Sequence, residues 1–80
     1  MKVWYIAEDC HGYIGLASCW DKVFDFLIKT KWLNANSMDE DGKTLYDYYG
    51  DNWQEAIKKN LDKMDLEDFG FYVREVDVYD

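Results

Sequence analysis

The chain has 80 residues, enough for one domain (1–80) and too few for two. It is 49% hydrophobic and 19% aromatic, with no proline and 5 glycines, so it carries the material for a core and is neither a linker nor a low-complexity segment. Its net charge of −8 argues against direct contact with nucleic acid or an anionic membrane, both of which repel carboxylates, and favours a basic protein partner or solubility alone.

Residues 2–9, KVWYIAED, are β-branched and aromatic and predict a strand, with Val3, Tyr5 and Ala7 on one face and Trp4 and Ile6 on the other. Cys10-His11-Gly12 predicts a turn in which Gly12 takes positive φ. Residues 13–18, YIGLAS, return as a second strand, where Gly15 marks a bulge or a close backbone approach. Ser18, with Asp21 three positions on, predicts the cap of a helix running to about Leu33. Trp20, Val23, Phe24, Leu27 and Ile28 form its buried stripe.

Residues 34–43, NANSMDEDGK, predict a loop, and Thr44 caps a short helical turn with Asp47 at its third position and Gly50 as an αL stop. Asp51 or Asn52 opens another helix to about Met64, with Trp53, Ala56, Ile57, Leu61 and Met64 as its apolar stripe. Residues 70–79, GFYVREVDVY, predict the last strand, whose apolar positions change face between Val73 and Val76, a sign of a bulge or of an edge. The expected architecture is α+β, in the order β-β-α-α-β. A three-stranded antiparallel sheet has two helices on one face, and the last strand pairs with the first.

Most chemical signatures fail on spacing. Placing Gly42 at the sixth position of an EF-hand loop puts Asp39 and Asp41 at the third and fifth, but Ser37 at the first and Tyr48 where a bidentate Glu belongs. Cys10, His11 and Cys19 are too few for a zinc site, and a Cys10–His11 nucleophile has no evident orienting group in the sequence. Phosphate-binding and nucleophile-elbow motifs are absent, so neither enzyme activity nor a metal or other cofactor is expected. Strand geometry separates Cys10 from Cys19 by about 20 Å, too far for a disulfide, and predicts two reduced thiols. With no leader-like or bilayer-spanning apolar run, the expected location is the cytoplasm.

The charge is segregated. Residues 19–33 and 52–64 each carry a net +1. Residues 39–51 hold Asp39, Glu40, Asp41, Asp47 and Asp51 against Lys43, a net −4, and residues 65–80 hold Asp65, Glu67, Asp68, Glu75, Asp77 and Asp80 against Arg74, a net −5. Glu75 and Asp77 alternate on one strand face about 7 Å apart, a spacing comparable to that of phosphates along a nucleic-acid strand. The plainer reading is a solvated face that blunts an edge strand. In TLYDYYGDNW (residues 44–53), Leu45, Trp53 and one or two tyrosines are expected to close the core, while the remaining rings sit beside carboxylates in the manner of a protein interface. The expected partner-binding residues are thus Asp39, Glu40, Asp41, Asp47, Tyr48, Tyr49 and Asp51, with Glu67, Asp68, Glu75 and Asp77.

YIAEDCHGYIGLAS near the start and FYVREVDVYD at the end, with Trp32-Leu33 closing the first helix, resemble small acidic accessory proteins of phages and mobile elements of Gram-positive bacteria. Some proteins of that kind are anti-CRISPR inhibitors that present acid to the basic channel of an RNA-guided nuclease. The resemblance implies a non-enzymatic inhibitor occupying a nucleic-acid-binding surface of a CRISPR effector in the bacterial host. The residues alone imply an acidic binder. An immunity-type or regulatory module for another basic protein, and a small metal- or thiol-dependent enzyme, are the alternatives.

Overall fold

Apolar alternation and one tight turn build the N-terminal hairpin. The computed structural model describes residues 1–78; Tyr79, the expected end of the last strand, and the carboxylate Asp80 lie outside the described residues. Strand β1 (Lys2–Glu8) pairs antiparallel with β2 (Gly12–Ala17), and Gly12 turns the chain at φ 71°. The register slips where Ile6 faces Gly15 but Ala7 faces Tyr13, leaving Ile14 as the extra residue of a bulge. Gly15 also meets the Phe26 ring, and a Cβ there would sit 2.7 Å from Cε2 and 2.9 Å from Cε1. Both expectations for this glycine hold at once.

Helix α1 (Trp20–Lys29) follows. Its N-cap is Cys19 in place of Ser18, with no side-chain cap bond, because the helix begins one residue later than the Ser18–Asp21 spacing suggests. It also stops short of Leu33. Lys31 takes φ 65°, its N–H donates to the Ile28 carbonyl at 3.1 Å, and the Leu33 N–H returns to the Leu27 carbonyl at 3.0 Å. This fold-back buries Leu33 under the helix end.

Helix α2 (Leu45–Tyr49) has the expected capping box: Thr44 Oγ1 accepts from the Asp47 N–H, and the Asp47 carboxylate accepts from the Thr44 N–H, each at 3.0 Å. Gly50 has positive φ, but its ψ of −148° is extended and not αL, so the chain passes into a 3₁₀ turn (Gly50–Asn52) before helix α3 (Trp53–Asn60). Asn52 precedes α3 without a side-chain cap bond. The helix expected to reach Met64 breaks at Leu61. Asp62 starts a separate helix α4 (Lys63–Asp68) through a second capping box with Asp65, at 2.9 and 3.0 Å. The break turns Met64 out of the apolar stripe, to 73% exposure, and Leu66 occupies the core instead.

Strand β3 (Phe71–Asp77) pairs with β1 in unbroken antiparallel register from Lys2–Asp77 to Glu8–Phe71. The sheet order is β2-β1-β3, so the face change after Val73 reflects an edge strand and not a bulge. Three strands, with helices on one side, form the expected α+β arrangement. Ile6, Ala17, Phe71 and Val73 join Val23, Phe24, Leu27, Ile57 and Leu66 in one buried cluster. The 2.6 Å Lys58–Asp25 ion pair ties α3 to α1 and raises the Lys58 pKa.

Cys10 and Cys19 are both free and exposed. Thiol titration of the native protein should therefore count two reactive groups without denaturant. A count of zero in monomeric protein would contradict the hairpin, which places them at opposite ends of β2.

Candidate functional site

The acidic loop folds on its own backbone. Met38 and Thr44 form an isolated antiparallel bridge, and the Asp39 N–H donates to the Lys43 carbonyl at 3.0 Å. Asp39 Oδ1 accepts from the N–H groups of Asp41 and Lys43, both at 3.0 Å, and Gly42 turns the tip at φ 79°. Asp39 Oδ2 accepts the Tyr48 hydroxyl, and the Lys43 ammonium lies 5.7 Å from the centre of the Tyr48 ring. The loop is thereby fastened to α2.

The helix break completes the site. The turn at Leu61 brings α4 back beside the loop, and together they enclose a cleft of about 320 Å³. Its walls carry Asp39, Asp41, Asp65 and Asp68, with Tyr48 and Tyr49, Asn60 is a further lining residue, and Leu45, Leu61 and Phe69 contribute apolar surface. Tyr48 and Tyr49 hold their rings 5.9 Å apart at 43°. Tyr48 is 45% exposed, while Tyr49 is partly buried against the core cluster. Four carboxylates from two chain segments surround aromatic surface here; Asp39 is engaged by the loop and Tyr48, and Asp65 by the α4 cap, while Asp41 and Asp68 are exposed.

The bond from Tyr48 lowers the Asp39 pKa and pushes the phenol up from 10.0 to about 12. Bonds from the Thr44 backbone and hydroxyl lower Asp47. Burial, then the Asp65 charge, raises Tyr49. The raised Tyr48 value means that its contact is complete below the ordinary phenol range and is lost as pH rises through about 12. The depressed Asp39 carboxyl gives the opposite limb, complete above the ordinary aspartate range and lost in acid. Tyrosinate absorbance during alkaline titration should show one phenol ionising near 12, which Tyr48→Phe removes and Asp39→Asn returns toward 10.0. Identical titration curves for the wild type and Asp39→Asn would rule out the Asp39–Tyr48 bond in solution.

Of the expected residues, the structure gathers Asp39, Asp41, Tyr48, Tyr49 and Asp68 in the cleft. Glu40 and Asp51 are exposed outside its lining, and Asp47 serves the α2 cap. Glu67 faces another hollow, shared with Lys63 and Arg74. Glu75 and Asp77 sit at the far end of β3, about 20 Å along the strand from the cleft end. They share the strand face of Phe71 and Val73, and Lys2 pairs with Glu75 at 3.7 Å while lying opposite Asp77 in register. The carboxylate row is thus interrupted by a cation. Asn60, Leu61, Asp65 and Phe69 were not anticipated; the Asp62–Asp65 cap spacing was the signal that would have placed them.

The hairpin turn supplies what the Cys10–His11 pair lacked in sequence. Glu8 Oε1 lies 2.8 Å from His11 Nδ1 and accepts the N–H groups of Cys10 and His11 at 2.6 and 3.0 Å, which lowers the Glu8 pKa, chiefly through the His11 ring. His11 stacks edge-on to Trp32 at 5.1 Å. No histidine or cysteine lines the acidic cleft. Among the described residues, no three His, Cys, Asp or Glu side chains are grouped to hold a metal ion, and no helix is long and apolar enough to cross a membrane. The chain matches no family model, no curated protein and no solved structure, so its functional reading rests on the geometry of the cleft.

Proposed function

We propose that this protein is a non-enzymatic inhibitor that binds a basic, nucleic-acid-handling protein through the Asp39–Tyr48–Asp68 cleft. The observation that carries the reading is that Asp39 and Asp41 of the loop and Asp65 and Asp68 of α4 line one cleft together with Tyr48 and Tyr49. A lysine or arginine side chain entering there meets carboxylate oxygens and an aromatic face together, a stronger combination than an isolated surface ion pair. A protein that binds nucleic acid displays such side chains in a row, and an acidic chain covering them competes with phosphate. The resemblance in the sequence narrows the target to a CRISPR effector nuclease, with the bacterial cytoplasm as the place of action.

The test is capture of the target from a bacterial lysate, followed by surface plasmon resonance and competition with nucleic acid. Inhibition at a nucleic-acid surface requires that RNA or DNA displace the protein from its target. Binding that nucleic acid leaves unchanged would favour a regulatory or immunity-type module for another basic protein.

A further inference from the structure

Helices α1 and α4 pack against one side of the sheet, α3 packs on α1 and α2 on α3, and the other side of the sheet carries no helix. The bare face carries Tyr5 on β1, Tyr13 and Leu16 on β2, and Tyr72, Arg74 and Val76 on β3. Leu16, Tyr13 and Tyr72 are 51%, 56% and 47% exposed. Arg74 lies 5.0 Å over the Tyr5 ring, and Tyr5 lies 5.3 Å from Tyr13, so a ladder of flat groups crosses all three strands. In a chain with 17 acidic residues, none of the strand side chains on this face is a carboxylate. At its β3 rim, Glu67 shares a hollow with Lys63 and Arg74, two cations against one anion.

We infer that this sheet face is the contact between two copies of the chain, stacked face to face about a two-fold axis. The charge selects that occupant. A basic partner would meet Arg74 and no carboxylate here, and nucleic acid would meet a chain of net −8. A second copy meets rigid rings and aliphatic groups without opposing anions, and its other surfaces carry the carboxylates that would repel. Sheets stack in this way at about 10 Å, and a two-fold contact uses the same patch on both copies. The size of the face sets the strength. Three strands of about seven residues outline a patch of roughly 300 Å². A standard interface buries about 800 Å² per partner, so the dimer is weak and forms only at high protein concentration. In this arrangement both helical layers face outward and both acidic clefts stay open, which makes the dimer bivalent toward a basic surface.

Sedimentation equilibrium of the full chain up to about 500 µM tests this directly, a range that reaches weak association. The wild type should pass from monomer to dimer. Leu16→Glu and Tyr72→Glu, on opposite edge strands, should each weaken association at least tenfold while far-UV circular dichroism stays unchanged. Reading both variants keeps the test valid if one of them fails to fold. Added salt should tighten the dimer by screening the mutual repulsion of the two −8 chains, the reverse of its effect on binding a basic target. A wild type that remains monomeric throughout, folded variants that dimerise like it, or a dimer that salt weakens would each overturn the inference. None of these results bears on whether the cleft binds its target, which is read separately by competition with nucleic acid.

Discussion

Phe24→Ala should destabilise the protein by about 3–5 kcal/mol, the range for truncating a fully buried phenylalanine. The ring has no exposure, stands edge-on to Trp20 at 5.2 Å, and Trp20 in turn meets Trp4 at 5.0 Å, so its removal hollows the junction of α1 and the sheet. A chain of this length has a total stability of roughly 4–12 kcal/mol. The loss corresponds to a drop in Tm of about 15–30 °C, or to a protein unfolded at room temperature. Met64→Ala is the matched control. If α3 ran on to Met64 as one helix, truncation there would remove core packing; with the break at Leu61, the change should stay within about 0.5 kcal/mol. Denaturant melts of both variants decide the matter. Equal losses would restore the continuous helix, and a loss below about 1 kcal/mol for Phe24→Ala would contradict its central place in the core.

That control touches the part of the fold least legible in the sequence. The strands and the α1 stripe could be read because period-2 and period-3.6 patterns are local, and the strand order followed from taking the simplest three-stranded sheet, with the last strand beside the first. Gly15 could be read because an interior strand glycine has few other purposes. The α3–α4 break was hidden because Leu61 and Met64 continue the stripe from Ile57, while the competing signal was an Asp62–Asp65 pair in a chain full of aspartates. The end of α1 was hidden for a different reason. Lys31 takes positive φ without being glycine or asparagine, and the burial of Leu33 that the fold-back achieves is visible only in three dimensions. In the site, the Asp39–Tyr48 half was legible from density of charge and rings. The Asp65–Asp68 half depends on where α4 turns. The Lys2 cation beside Glu75 and Asp77 depends on a pairing 75 residues apart in register, Lys2 with Asp77, which no local pattern reveals.

On the proposed reading, these placements give the two acidic blocks unequal weight in binding the target. Asp41→Lys with Asp68→Lys reverses two carboxylates of the cleft without touching Asp39, whose oxygens hold the loop and the Tyr48 hydroxyl. Glu75→Lys with Asp77→Lys reverses the same amount of charge at the other end of β3, where Lys2 already offsets it. Both pairs are exposed, so melting should change little for either, as surface ion pairs contribute about 0–1 kcal/mol. Against the captured target, the cleft pair should lose affinity by at least tenfold, mostly through slower association, and should flatten the salt dependence. The strand pair alters only the long-range field and should lose about two- to threefold. Tyr48→Ala should act on the dissociation rate instead, because an exposed ring held over a desolvated cation is an anchor and not a steering charge. Surface plasmon resonance at two salt concentrations separates these three behaviours. A strand pair that loses more than the cleft pair would move the interface to the Glu75 end of the sheet. If neither pair changes affinity or its salt dependence, the carboxylates are solvated surface and the inhibitory reading fails.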